Sequence, residues 1–427
     1  MVWLLLLVLV VCLVLSGTEY AYIVGAIAVV LFLVTGHGEH LTIVPQRVFS
    51  QLDSFALTAL PMFILAGEIM GRGGVTRSLI DFSLSLMGKI RGALGHVNVL
   101  TSVFFAGVSG AATADAAALG NTLVPAMRER GYRGDYAASI TAASAIIGPI
   151  IPPSIILIMY GALMETDIAA LFAAGIIPGL MLAAVLIVSN AAFARRKGHP
   201  AGEPFDLQHL GEATRSALPA LALPIVIVAG IVFGVTTPTE AGALAVVLAI
   251  AAARVYGMLS RTLLVDSLRR TVRLVGSIFV LIAASSLISY LAAIMGASDE
   301  LSTAVAGSGL AGRAYLFSVV ASLLVVGMFT GVRLGLFLVV PLIVPEAIAL
   351  GADPVHTGIV VCLSLALGLI TPPFGPVLLV TSAVTGVSYG QLVRGTIAFT
   401  SLHVVVLAVL AFLPGVSLWL PKAAGLL

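Results

Sequence analysis

Two segments decide the reading of this chain: Ile147-Gly148-Pro149-Ile150-Ile151-Pro152-Pro153-Ser154 and Leu367-Gly368-Leu369-Ile370-Thr371-Pro372-Pro373-Phe374-Gly375-Pro376. Each interrupts a long apolar run. Proline has no amide hydrogen and its ring clashes with the carbonyl one turn back, so a Pro-Pro pair after a glycine unwinds a helix locally. The two segments are related by a shift of 220 positions. At that shift Gly107 falls on Gly327, Pro125 on Pro345, Ser144 on Ser364, Gly148 on Gly368 and Pro152-Pro153 on Pro372-Pro373, with no gap. We read this as an internal structural repeat.

Of the 427 residues, 60% are hydrophobic and 9% charged, and the mean hydropathy is +1.17. Soluble domains hold about 25% charged residues. The composition excludes a soluble enzyme, a nucleic-acid binder and a disordered scaffold, and leaves a polytopic membrane protein. The apolar stretches are continuous, which argues for helices against a β-barrel, and the length accommodates roughly ten to twelve embedded elements. Cys12 and Cys362 both lie in apolar runs, and the seven histidines have no metal-ligand spacing. The amino-terminal run to Gly17 lacks the basic segment of a signal peptide, so it and the run Ala21 to Thr35 read as two short retained helices.

Arginine and lysine at helix ends mark the cytoplasmic face. Arg72, Arg77, Lys89 and Arg91 form one basic zone, and Arg128, Arg130 and Arg133 the next. The segment between them is too short for two full crossings, and one crossing would place the second zone on the wrong side. A re-entrant hairpin over 97–127, turning near Gly107 to Ala112, satisfies both length and charge. Broken backbone at membrane depth is tolerated only where protein or a watery cavity encloses it. A broken helix over 136–164 follows. Five spans (136–164, 171–194, 217–235, 241–253 and 274–295) then separate this hairpin from its repeat copy, 315–350, which turns near Gly327 to Gly335. An odd number of spans inverts the second hairpin, in agreement with the acidic flanks Asp299, Glu300, Glu346 and Asp353.

The expected fold is an all-α polytopic membrane protein. It is an inverted repeat with two re-entrant hairpins and two Pro-Pro-broken helices, the architecture of secondary transporters. The domain reading is 1–96, amino-terminal scaffold helices; 97–194, first repeat core; 195–215, cytoplasmic linker; 216–295, second scaffold part; and 296–427, second repeat core, with broken helix 355–385 and a carboxy-terminal helix. An amphipathic helix is expected around Leu207 to Ala213.

Carbonyls freed at the breaks suit a hard cation such as sodium, and the helix that restarts offers its positive end to an anion. At the first tip, Asp115 is an ionisable residue in a buried hairpin. It either meets a cation or substrate, or, with Thr113, caps the returning helix. At the second tip, Arg333 either holds a substrate carboxylate bidentately or snorkels. Glu68 and Thr236-Thr237-Pro238-Thr239-Glu240 are further polar interruptions, the latter a tight outer loop. Ser285, Ser286 and Ser289 read as interhelical glue. No constellation of nucleophile, base and acid supports an enzyme.

The stretches HVNVLTSVFFAGVSGAATADAAALGNTLVPAM, ITAASAIIGPIIPPSIILIMYG, FAAGIIPGL, FILAGEIM, TPTEAGALAVV, GADPVHTGIVVCLSLALGLITPPFGPVLLV and PGVSLWLP resemble the large membrane subunit (the DctM-type M subunit) of tripartite ATP-independent periplasmic (TRAP) transporters. The resemblance implies sodium-driven import of a small organic acid, typically a carboxylate, across the bacterial inner membrane. It implies a separate small four-helix membrane subunit and a periplasmic substrate-binding protein as partners. It also implies elevator-like motion of the hairpin domain against a scaffold. Carried over, one sodium site involves Ser109, Gly110, Gly148, Ile151 and Pro152, and a second Gly327, Thr330, Gly368, Thr371 and Pro372. Thr113, Asp115, Pro153, Ser154, Arg333 and Pro373 are the candidates for substrate contact. The chain departs from the family after Gly327-Met328-Phe329, where an acidic residue and a proline are usual and Thr330-Gly331-Val332 stands here. The alternative reading is a stand-alone ion-coupled anion carrier or antiporter of the same architecture, which would need no binding protein.

Overall fold

The computed structural model describes residues 18–202, 204–308 and 312–427, together with Leu13 and Ser16. The first expected helix lies outside the described residues. Among the described residues the chain is all-helical, without strands. Six helical runs are long and apolar enough to cross a membrane. The remaining elements are shorter, as hairpin arms and half-helices must be.

The amino-terminal part comprises α1 (Tyr20–Val34), α2 (Val44–Leu52), α3 (Phe55–Arg72) and α4 (Val75–Met87). Next come the two arms α5 (Ala93–Ser109) and α6 (Ala112–Glu129). Asn98 Nδ2 lies 4.0 Å from Met127 Sδ, so the chain doubles back between them. The turn falls at Gly110, whose φ of 60° is a left-handed conformation that glycine adopts without strain. The arms start and end slightly outside 97–127.

The first broken helix is α7 (Gly134–Ser144), a 3₁₀ turn over Ala145–Ile147, an irregular stretch, and α8 (Ile155–Leu163). Ser154 restarts the helix, its Oγ accepting from the Leu157 amide at 3.3 Å. Asp167 caps α9 (Ile168–Lys197), which ends on Arg195-Arg196-Lys197 before Gly198. The described residues between α9 and α10, 198–202 and 204–206, are non-helical, and both ends of the expected linker 195–215 are helix. The expected separate helix at Leu207 is simply the first turns of α10 (Leu207–Val232). The linker is pinned to the base of the first hairpin: the Gly92 amide donates to Pro200 O at 2.9 Å and the Gly202 amide to Ile90 O at 3.1 Å.

α11 (Pro238–Val255) opens with a reciprocal cap in which Thr237 and Glu240 bond each other's backbone amides. The polar cluster 236–240 is thus a helix start. α12 (Arg261–Ile294) is one 34-residue helix, where the sequence suggested a span over 274–295 only. Its basic first turns extend the helix past the apolar part. α1, α2 and α3 pack on α12, and α3 also packs on α11.

After α13 (Ala297–Ser308) comes α14 (Gly312–Leu334), a π turn over Gly335–Val339 and α15 (Val340–Ala349). This run is apolar enough to pass for one long crossing. However, the Tyr315 hydroxyl donates to Ile343 O at 3.0 Å, 28 residues on. In a straight helix those residues stand roughly 42 Å apart. The chain reverses at Gly331 (φ 70°, ψ 179°). α16 (Pro354–Gly368) and α17 (Pro376–Thr385) form the second broken helix, and α18 (Tyr389–Phe412) and α19 (Pro414–Ala423) complete the chain.

The broken helices pack against each other. Cys362 Sγ lies 4.0 Å from Ile156 O, and a Cβ on Gly358 would stand 2.5 Å from the Tyr160 ring. Four residues forward on α8 is four residues back on α16, so the pair is antiparallel. The break before α8 and the break after α16 consequently lie at one end of the pair, at about one level. Beyond them, α17 packs on α6 and α7, while α8 reaches the π turn of the second hairpin.

A Cβ on Gly368 would lie 2.3 Å from the backbone carbonyl carbon of Gly327. Because backbone cannot yield as a side chain does, Gly368→Ala is expected to cost roughly 1–3 kcal/mol, read as a lower unfolding midpoint of the detergent-solubilised protein. An unchanged midpoint would refute this backbone contact.

Candidate functional site

Each hairpin tip is seated on one helix break. At the first tip, a Cβ on Gly110 would meet Pro153 O at 2.8 Å and the Ile155 amide at 3.2 Å. Gly107 faces Pro224 of α10 closely, and Gly67 of α3 lies against Val108 O. The first tip is thus held between its own break and the helices α3 and α10. Only glycines permit so close an approach at these points.

Asp115 is the centre of this junction. It is 0% exposed. Ser109 Oγ donates to its Oδ1, and its Oδ2 has no hydrogen-bond partner. That free oxygen points at the break, since a Cβ on Gly148 would stand 2.3 Å from it. The capping alternative is not what forms: α6 starts behind Ala111 with no side-chain cap, and the Asp115 carboxylate turns to Ser109 instead. Thr113, two residues earlier on α6, is half-buried. Pro152, Pro153 and Ser154 are buried, and Ser154 Oγ donates to Pro149 O, closing the irregular stretch on itself. Ile151 is half-buried and meets Gly179 of α9. An isolated buried carboxylate oxygen costs several kcal/mol unless a cation or proton meets it, so one positive charge at this oxygen would relieve that cost.

The second tip is built differently. Gly327 and Gly368 touch backbone to backbone. Thr330 Oγ1 donates to Val326 O at 2.9 Å, and Thr371 Oγ1 to Leu367 O at 2.7 Å. Both hydroxyl hydrogens are therefore spent on their own segments, which leaves the two oxygens only as acceptors. The Phe329 and Phe374 rings meet edge to face at 6.1 Å, joining tip to break. They are 54% and 53% exposed, so this junction is open where the first is closed. Pro372 is half-buried, Pro373 exposed, and Arg333 is exposed two residues past Gly331. Arg333 is not brought to Asp115 or to either break by any bond among the described residues.

The pairing of Asp115 with Gly148 and the aromatic bridge were not evident in the sequence. The glycine at the repeat position was visible, but not the side chain that occupies its vacant Cβ.

Two hairpins docked on two broken helices that cross antiparallel define a membrane transport protein. Residues 6–416 match the family model described as the tripartite ATP-independent periplasmic transporter DctM component, and the chain belongs to that family: it is a large permease subunit and not an enzyme. It is 34% identical over 396 residues to the sialic acid TRAP transporter large permease protein SiaM of Vibrio cholerae, covering 92% of each chain. It is 35% identical over 381 residues to the C4-dicarboxylate TRAP transporter large permease protein DctM of Pseudomonas aeruginosa, covering 89% of each. To the isethionate TRAP transporter permease protein DctMQ of Oleidesulfovibrio alaskensis it is 32% identical over 379 residues, with 88% of this chain and 60% of that protein covered. The fold is similar to that of the Alcanivorax borkumensis YdaH transporter, with a TM-score of 0.65, 13% identity, and 88% and 89% of the two chains covered.

If Asp115 fills the space over Gly148, the two positions are coupled. Gly148→Ala is expected to lower the unfolding midpoint in the native background and much less with Asp115→Ala, a coupling of roughly 0.5–3 kcal/mol. Additive effects in the double mutant would separate the two residues.

Proposed function

We propose that this chain is the transport subunit of a sodium-coupled importer for a small organic acid, in the bacterial inner membrane. It works with a small four-helix membrane subunit and a periplasmic binding protein that delivers the acid. The names of the similar proteins support the acid class: sialic acid and C4-dicarboxylates are carboxylates, and isethionate is a sulfonate. The observation that carries the coupling is the buried Asp115 oxygen without a partner, aimed at the first helix break.

On this reading the two halves are an inverted repeat, and their tips and breaks enclose one polar chamber. Sodium at the first junction meets Asp115, with oxygens of Ser109, Gly110, Gly148, Ile151 and Pro152 as the available ligands. A second ion takes Gly327, Thr330, Gly368, Thr371 and Pro372, without the acidic residue usual after Gly327-Met328-Phe329. Ion binding orders the tips around the substrate, and Thr113, Asp115, Pro153, Ser154, Arg333 and Pro373 are the groups we assign to contact with it. Transport follows when the hairpin-bearing part moves as a unit against the scaffold, elevator fashion. The ion drives this step only through a different affinity for the two states.

Two measurements test this. Uptake by proteoliposomes holding both membrane subunits, with the binding protein added, is expected to collapse when potassium replaces sodium outside; undiminished uptake would reject sodium coupling. Sodium is also expected to raise the unfolding midpoint over potassium for the native chain and not for Asp115→Asn, whose neutral amide needs no cation. A full sodium shift in that variant would move the ion site elsewhere.

A further inference from the structure

A second polar space lies away from the hairpin junctions. It is a cavity of about 370 Å³ between α2 and α12. Arg47 of α2 and Ser286 and Ser289 of α12 line one wall, and Leu163 at the end of α8 and Pro341 of the second hairpin line the other. It therefore joins the scaffold to the hairpin-bearing part. The Arg47 guanidinium stacks 4.3 Å over the Tyr290 ring. Tyr290 is itself braced by the Phe32 ring at 6.3 Å and by His40, 3.4 Å from its hydroxyl.

Stacking occupies a face of the guanidinium and leaves its edge, with the paired N–H donors, free. No carboxylate lines the cavity, and Arg47 has no acidic partner among the described residues. The hydroxyls of Ser285 and Ser286 bond their own helix, to Leu281 O at 2.5 Å and Ala283 O at 2.7 Å, so they do not tie helices together as the sequence suggested. A positive, hydroxyl-lined cavity with a fixed cation fork and no counter-charge is chemically matched to a small carboxylate or sulfonate.

Its position gives it a place in the transport path. The lining residues of α12, from Ile282 to Ala293, lie toward its carboxy-terminal end, opposite the basic Arg261 end. With the basic ends cytoplasmic, the cavity is at the periplasmic end. We infer that the Arg47 cavity is an outer staging site, which receives the organic anion at the scaffold before it passes to the chamber between the hairpin tips. The staging role rests on the transport reading above, but the anion site itself does not, and its test needs no transport.

The test places a single cysteine in the cavity, Ser289→Cys, in a chain carrying Cys12→Ala and Cys362→Ala, in phosphatidylcholine nanodiscs. Two thiol reagents of similar size are compared, the anionic sulfonatoethyl methanethiosulfonate and the cationic trimethylammonioethyl methanethiosulfonate. Relative to their rates with a small thiol in solution, the sulfonate reagent is expected to be favoured. Arg47→Gln is expected to cut the sulfonate rate about five-fold, the effect of roughly 1 kcal/mol from one nearby charge in water, and to raise the cationic reagent's rate by a similar factor, so that the ratio falls roughly thirty-fold; Arg47→Lys is expected to retain the ratio. The same ratio with Gln, loss of the ratio with Lys as well as Gln, or a cysteine inert to both reagents would overturn the proposal. Suppression of the sulfonate rate by phosphatidylglycerol would also overturn it, identifying a lipid phosphate as the occupant. Failure of sodium-driven uptake with an intact reagent preference would overturn only the transport reading.

Discussion

The structure depends on how unpaired backbone is satisfied within a bilayer. Breaking two helices in hydrocarbon exposes amides and carbonyls that lipid cannot bond, at several kcal/mol each. Protein must therefore cover each break, and here a hairpin tip does so. The cover is tight because glycine carries no side chain: Gly110 reaches Pro153 O and the Ile155 amide, and Gly327 meets Gly368. The antiparallel crossing of α8 and α16 then brings the two covered breaks to about one level, an arrangement that each half alone cannot produce.

The halves share this plan but differ in chemistry. The first junction is closed and carries a buried carboxylate, with Asp115 wedged over Gly148. The second has no acid; backbone contact and two exposed phenylalanines hold it. Rigid support is equally uneven. The first tip leans on α3 and α10 through Gly67 and Pro224, and its base is tied to the linker after α9. Leu163 and Pro341, one from each half, meet α2 and α12 across the Arg47 cavity.

Much of the fold was legible because its rules are coarse. Proline pairs, glycine spacing and the length of apolar runs are enough to locate the breaks and the reversals near Gly110 and Gly331. Charge at helix ends was less reliable for helix length: α12 carries its arginines as helix, and the linker between α9 and α10 is shorter than its polar composition suggested. The candidate site was legible only as a set of backbone positions. That Asp115 abandons a capping role for Ser109 and Gly148 depends on how two segments dock. So does the cavity at Arg47, whose walls come from elements far apart in sequence. Periodicity and spacing carry no information on such contacts.

The central claim is that both hairpins enter and leave on one face each, and on opposite faces from each other. Site-directed labelling with a membrane-impermeant maleimide tests it most directly, in a chain without Cys12 and Cys362. Single cysteines replace exposed residues at the four hairpin ends: Lys89 and Glu129 for the first, Arg313 and Leu350 for the second. The account predicts that the first pair labels only in inside-out vesicles and the second only in right-side-out ones. Labelling of the two ends of either hairpin from opposite faces would contradict it.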